Sequence, residues 1–369
     1  MNILMFMWRD IKNPASGGAG RTTHELCKRW IQKGHHVTIF TSSFRNGKDC
    51  EVVDGYEIIR KGSLLTHYYY ASLYYKKYFK GKYDVVIDQI NTIPYFTPFY
   101  VKEAPIIVYI HQLCRKIWFY EMAFPVSLFG YLLEPFYLKL YKKYPAITVS
   151  ESTKQDLLSL SFSKVSVISN AIDFEPLVTI PKKEDEPTII FVGRLTKSKR
   201  PHHVIKTIYL LKNDMPNIKL WIIGEGYFKK QLMLMAKKFK LENNVIFFGW
   251  LSPVKKIELL KKAHCICVPS VREGWGLIVS EANAVGTPAI VYNVPGLKDA
   301  VQNGFNGFLT TKNTPQSMAT ALIKFFKDKK LIENLSGNAL CNSRRFSWDM
   351  SSEEFLKIFK RNIKNNPNS

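Results

Sequence analysis

The stretch REGWGLIVSEANAVG, from Arg272 to Gly286, places Glu273 and Glu281 eight positions apart at the mouth of an apolar helical pattern. Gly274 and Gly276 flank Trp275 and leave the backbone N–H groups near Leu277 and Ile278 uncovered at the helix start, a ready place for an anion. A carboxylate is a poor neighbour for phosphate and a good acceptor for the hydroxyl groups of a sugar or a ribose. On that reading the two acids are tolerable because their partners arrive with a substrate. A plainer reading makes Glu273 a capping or first-turn carboxylate and Glu281 a solvated helix residue. The residues alone fit both.

Three further groups stand where chemistry is possible. In FVGRLTKSKRPHHVI an apolar strand ends at Gly193, and Arg194, Lys197, Lys199 and Arg200 follow before Pro201, which suits the first position of a helix. Four cations beyond the carboxyl end of a strand suit a diphosphate clamp; a solvated basic loop is the alternative. In NPASGGAGRTTHELCKRW, Gly17, Gly18 and Gly20 precede a helix, so backbone N–H groups can approach a phosphate there, or the glycines simply make a tight turn. The spacing is neither the dinucleotide pattern nor a phosphate loop with its lysine. His111 closes the strand IIVYIH, as a reacting group or as a structural hydrogen-bonder. No pair of acids suits a metal: Asp84 and Asp88 in DVVID lie too far apart, and no metal or other cofactor is expected.

Positioning these residues falls to a repeating scaffold. Short β-branched runs (NILMFMW, HVTIFTS, DVVIDQ, PIIVYIH, AITVS, VSVIS, then PTIIFVG, IKLWIIG, NVIFFG, CICVPS, PAIVYN) alternate with longer helical patterns. Runs so continuously apolar suit strands buried on both faces, as parallel βαβ units require. At 369 residues the chain exceeds one core. It reads as two doubly wound, Rossmann-like α/β domains facing a central cleft, residues 1–178 and 183–348, with the charged stretch PKKEDEP as linker. Ligands of such sheets bind at the carboxyl ends of the strands.

Composition narrows the classes. Lys and Arg number 53 against 30 acids, a formal charge of +23, which attracts nucleic acid, anionic membrane or phosphorylated small molecules. The six scattered cysteines suit plain core residues in a reducing compartment. The N-terminus reads as a first strand and not a signal peptide, and the apolar MAFPVSLFGYLL is too short for a membrane span.

Taken together these stretches resemble the retaining glycosyltransferases of family 4, which have the GT-B fold. The resemblance runs nearly end to end: the early glycine loop and KGHHVTIFT, then ITVSESTKQDL and VISNAIDFEPL, then FVGRLTKSKRP, IIGEG, VIFFGWL and VPSVREGWGLIVSEANAVGTPAI, whose two glutamates match the family's E-x7-E signature. RFSWDMSSEEFLKIF resembles the tail, with residues 349–369 expected to pack back on the first domain. The resemblance implies that Arg194 and Lys199 bind a donor diphosphate, that Glu281 binds the nucleotide ribose and Glu273 the donor sugar, that Gly18 lets the first loop reach the phosphate, and that His111 lies near the reaction centre. Departures are Trp275 for a usual Phe, Ala171 for a Gly, Gln112 for an Asp, Pro295-Gly296 for a Gly pair and Asp299 for a Glu.

The expected activity is retaining transfer of a hexose-type sugar from a nucleotide-diphosphate sugar to an acceptor hydroxyl, on a glycan or lipid-linked glycan of cell-envelope polysaccharide. His111, Glu273, Arg194 and Lys199 would serve catalysis, and Gly18, Gly274, Gly276, Leu277, Ile278 and Glu281 donor binding. The expected location is the cytoplasm, or the inner face of the cytoplasmic membrane. Two basic aromatic segments, from Leu64 and from Arg115, suit an anionic bilayer; buried helices with lysines reaching outward fit as well. The competing readings are an epimerase or phosphorylase of the same fold, and a basic non-catalytic protein on membrane or nucleic acid. No nucleic-acid module is recognisable, so nucleic acid is not an expected partner.

Overall fold

The computed structural model describes residues 1–365, and the last four positions of the expected 349–369 helix lie outside them. Two compact units form. The first comprises Met1–Arg115, Leu128–Asp173 and the chain from Phe346; the second comprises Lys116–Ser127 and Phe174–Arg345.

Among the described residues the first unit holds β1 (Asn2–Phe6), β2 (His36–Thr41), β3 (Cys50–Val53), β4 (Tyr56–Arg60), β5 (Val85–Ile90), β6 (Ile106–Ile110), β7 (Ala146–Thr148) and β8 (Val165–Val167). They pair in the order β3-β4-β2-β1-β5-β6-β7-β8, and only β3 against β4 is antiparallel. β1, β5 and β6 are apolar almost throughout and buried on both faces, as strands between two helical layers must be. The order reverses between β1 and β5, opening a crevice beyond their carboxyl ends. The helix Gly18–Gln32 follows β1, and the helix Trp348–Lys364 lies against it, with Trp30 edge-on to Phe355 and Phe359.

The second unit's sheet holds β9 (Thr188–Val192), β10 (Lys219–Ile223), β11 (Val245–Gly249), β12 (Cys265–Val268), β13 (Ala289–Val291) and β14 (Gly307–Leu309), all parallel, in the order β11-β10-β9-β12-β13-β14. Here the reversal falls between β9 and β12. Both chemistry-bearing loops of this half, the cations after β9 and the glutamate stretch after β12, therefore leave neighbouring strands at the switch point.

The unit boundaries differ from those drawn on composition. PKKEDEP is not a loose tether: the Glu184 N–H donates to the Lys262 carbonyl, and Lys183 Nζ donates to Thr287 Oγ1 at 2.8 Å and the Lys261 carbonyl at 3.0 Å. Earlier still, Leu177 N–H donates to the Ala284 carbonyl, so the chain is already part of the second unit there. Residues 116–127 also group with the second unit, because Glu121 accepts the Ser198 N–H at 3.0 Å and the Tyr227 hydroxyl at 3.1 Å. Cys50 and Cys341 are exposed, so only four of the cysteines are core residues.

Candidate active site

In the second unit the loop after β12 carries Ser270 and Glu273, and the helix Leu277–Asn283 follows. Gly276 precedes that helix in the left-handed conformation (φ 87°), and having no side chain it leaves the first amide groups uncovered. A second glycine fixes Glu273. Gly296 sits at φ +83°, and a Cβ on it would fall 2.1 Å from the Glu273 carbonyl oxygen, so only glycine lets the two loops touch. The Glu273 N–H donates to the Pro295 carbonyl at 3.1 Å, and Asp299 accepts the Gly296 N–H at 3.0 Å. The Pro-Gly pair and Asp299, both departures from the family pattern, thus still hold the glutamate loop in place. Trp275 is buried with its indole N–H donating to Ser280 Oγ.

Neither glutamate waits for a partner from outside. Lys199 Nζ lies 2.5 Å from Glu273 Oε1, which also accepts from Ser270 Oγ at 2.7 Å. Glu281 is buried, not solvated, and its Oε2 pairs with Lys256 Nζ. The expectation that these acids are neutralised only by substrate hydroxyls is therefore corrected: each faces a lysine of its own chain. A carboxylate has about four acceptor positions, so both keep capacity for hydroxyl groups beside the lysine. Arg194 is exposed at the end of β9, while Lys199 is drawn inward by Glu273. Arg200 adopts a left-handed conformation before Pro201, and its guanidinium donates to the Tyr120 hydroxyl at 2.5 Å. The site thus gathers Arg194, Lys199, Glu273, Gly274, Gly276, Leu277, Ile278 and Glu281 along the β9 and β12 loops and the helix between β12 and β13.

In the first unit Gly18 is the first residue of its helix and Gly17 the residue before it, so Gly18 and Gly20 lie within the first turn instead of preceding the helix. Gly20 is the sterically constrained member: a Cβ there would meet Ser16 Oγ at 2.1 Å. His111 follows β6 and is 8% exposed. Its Nε2 is 2.6 Å from Gln89 Nε2, and Thr23 Oγ1 donates to Gln89 Oε1 at 3.2 Å. With the amide oxygen taken by Thr23, the amide nitrogen donates to the ring, which assigns the imidazole proton to Nδ1. Burial pushes the His111 pKa down to about 3, so the ring is neutral and contributes hydrogen bonds rather than charge. Gln112, the neighbour standing for an acid, keeps its amide oxygen buried without a hydrogen-bond partner among the described residues.

That burial has a stability consequence. Above pH 6.5 His111 is neutral folded and unfolded; between there and about 3 only the unfolded chain takes the proton, which favours unfolding. His111 should therefore cost about 2 kcal/mol of stability between pH 6.5 and pH 5. Urea midpoints at pH 7 and pH 5 check this, with His111→Gln expected to lose less on acidification. An equal loss in both proteins would contradict it.

Sequence reasoning missed Gln89, Ser270 and Lys256. Gln89 had a signal, a polar residue near the end of an otherwise apolar strand beside His111. Lys256 had none, being one of many lysines on the helix Pro253–Lys262.

Comparison with known proteins gives the scaffold its family. Residues 16–176 match the model of Glycosyltransferase Family 4, and residues 177–340 that of Glycosyl transferases group 1. The uncharacterized glycosyltransferase MJ1607 of Methanocaldococcus jannaschii is 30% identical over 241 residues, which is 61% of this chain and 62% of that protein. Eight of the curated relatives it matches are covered over 38% to 62% of their own lengths. Among solved structures, the sucrose-phosphate synthase of Thermosynechococcus elongatus superposes with a TM-score of 0.79 at 18% identity, covering 98% of both chains. Anabaena Alr3699/HepE, solved in complex with UDP-glucose, gives 0.73 at 17% identity over 98% of this chain and 100% of that one. With two adjoining family models spanning residues 16–340 and two α/β sheet units of the GT-B type, the chain belongs to the family 4 glycosyltransferases.

Proposed function

We propose that the protein transfers a hexose-type sugar, with retention at the anomeric carbon, from a nucleotide-diphosphate sugar to an acceptor hydroxyl on a glycan or lipid-linked glycan of the cell envelope. One observation carries the reading: Lys199 and Arg194 stand at the switch point of the second sheet, with a glycine-started helix and two lysine-paired glutamates beside them. Breaking the bond from the anomeric carbon to the diphosphate oxygen puts negative charge on the leaving group while the sugar becomes oxocarbenium-like. Arg194, Lys199 and the N–H groups of Leu277 and Ile278 would meet that charge, the work a metal ion does elsewhere. Glu273 would hold sugar hydroxyls and Glu281 the ribose. Glu273 acts here as a hydroxyl acceptor, not as the nucleophile a double displacement would need.

Support for the donor class comes from the Anabaena protein of this fold, whose structure contains UDP-glucose. The Corynebacterium glutamicum relative named D-inositol 3-phosphate glycosyltransferase supports an acceptor hydroxyl, and the Bacillus subtilis relative named putative glycosyltransferase EpsD supports glycosyl transfer. We place the reaction in the cytoplasm, where free thiols such as Cys50 and Cys341 persist. Among the described residues no helix is long and apolar enough to cross a membrane.

A thermal-shift panel of UDP, GDP and ADP followed by their sugars tests the reading. A nucleotide at 100 times its dissociation constant should stabilise the protein by about 2.7 kcal/mol. A flat response to all of them would overturn it. Turnover of a nucleotide sugar without acceptor would instead mark an epimerase, and EDTA should leave the transfer rate unchanged.

A further inference from the structure

The two basic aromatic segments part company in the structure. The helix His67–Tyr74 and the turn after it bury most of their aromatics: Tyr75 and Phe79 join Phe6, Phe40 and Tyr95 in one core cluster, with Tyr68, Tyr70 and Tyr74 packed against it, while Tyr69 and Tyr78 stay exposed. That segment is anchored in the core by its aromatics, and its outward side is mixed, with lysines among Tyr69, Leu73 and Tyr78. The helix Val126–Lys139 is the opposite. Leu128, Phe129, Leu132, Leu133, Phe136 and, in the following turn, Leu140 recur at helical spacing along one face, and that face is the exposed one, with Phe129 61% and Phe136 68% accessible.

Nor can this helix roll to hide them. Its inner face is fastened by polar bonds: buried Glu134 accepts the N–H groups of Cys114 at 2.5 Å and Arg115 at 2.7 Å, Tyr137 OH donates to the Thr92 carbonyl at 2.6 Å, and beyond its end Tyr141 OH donates to Asp88 at 2.6 Å. A surface helix normally carries its charge outside and its leucines inside; here Glu134 is inside with Leu138, and Leu128, Leu132 and Leu133 are outside. Contiguous exposed apolar faces of this kind mark interaction surfaces. Its only charged outward residue is Lys139, and Lys142 and Lys143 follow, both exposed. Apolar side chains in the middle with cations at the end match a bilayer whose headgroups are anionic.

We propose that the outward face of the helix Val126–Lys139 docks on an anionic lipid surface, Phe129, Leu132 and Phe136 entering the headgroup–acyl boundary while Lys139, Lys142 and Lys143 pair with headgroup phosphates. This surface stands independently of the transfer reaction. Because Glu134 on the same helix holds the backbone three and four residues after His111, docking would also fix the chain that leaves His111.

The test is co-sedimentation of the full chain with vesicles of phosphatidylglycerol and phosphatidylcholine, against vesicles of phosphatidylcholine alone. Binding is expected to the mixed vesicles, falling as salt shortens the Debye length from about 10 Å to about 3 Å. Phe129→Glu/Phe136→Glu should weaken it about tenfold or more. Both side chains are exposed, so the Tm should hold; Lys139→Gln/Lys142→Gln/Lys143→Gln gives a second variant, and Val178→Glu, at another exposed apolar residue, a control without effect. Absence of wild-type binding at low salt, or binding indifferent to both variants, overturns the proposal. So does concentration-dependent self-association that Phe129→Glu/Phe136→Glu abolishes, which would make a second copy the occupant. Vesicle binding with a flat nucleotide panel would sink the transfer reaction alone, and the reverse result this surface alone.

Discussion

Replacing Lys199 by alanine is expected to lower kcat by about 10²–10³-fold, the usual effect of removing one preorganised charge-stabilising donor. The geometry gives Lys199 two tasks. Its ammonium lies 2.5 Å from Glu273 Oε1 and so holds the sugar-side carboxylate, and it has further donors for the leaving diphosphate. Glu273→Ala removes the other half of the same pair. The two changes should therefore be non-additive, with a coupling of about 0.5–3 kcal/mol in a double-mutant cycle on kcat/KM. Arg194→Ala, at an exposed guanidinium with more water screening, is expected to cost less than Lys199→Ala. Strict additivity of Lys199→Ala and Glu273→Ala would mean that the pair does not act as a unit. Near-normal transfer by Arg194→Ala, Lys199→Ala and Glu273→Ala together would remove the site assignment altogether.

What the chain discloses before folding follows from what each signal depends on. The parallel strands were readable because strands buried on both faces are apolar almost without interruption, so β1, β6, β9 and β12 declare themselves. The hairpin β3–β4 was passed over for the converse reason. Its burial alternates, and its one clear mark is Asp54-Gly55 at φ 45° and 88°, a Asp-Gly turn between two β-branched runs. β14 is three residues long and offers no periodicity at all. The cation loop and the glutamate stretch were legible as motifs since each lies within some fifteen residues of chain. Their counter-ions were not: Lys256 is 25 positions from Glu281 and Lys199 74 from Glu273, so the first pairing exists only once the helices before and after β12 pack together and the second only once β9 and β12 are neighbours. Likewise nothing in the spacing of the apolar residues of 126–140 tells which face of that helix the buried carboxylate Glu134 will claim.

Lys256→Ala is expected to destabilise the protein by about 3–5 kcal/mol, a large part of the 5–15 kcal/mol that holds a domain folded. Both side chains of the Lys256–Glu281 pair are nearly buried, at 14% and 9% exposure, so the substitution leaves a carboxylate inside the second unit without its ammonium. If Glu281 also accepts the ribose hydroxyls, its lysine has a structural task and its free acceptor positions a binding one, and the two can be separated. Lys256→Met/Glu281→Leu replaces the pair with apolar groups of similar volume and should recover most of the lost Tm, because a buried ion pair contributes little beyond what hydrophobic packing supplies. The same double variant should no longer be stabilised by the nucleoside diphosphate that stabilises the wild type. Recovery of stability together with wild-type nucleotide binding would show that Glu281 is a core ion-pair residue and that the ribose is held elsewhere. Recovery of stability with binding lost would place the ribose on the Glu281 carboxylate, which the fold keeps buried beside Lys256.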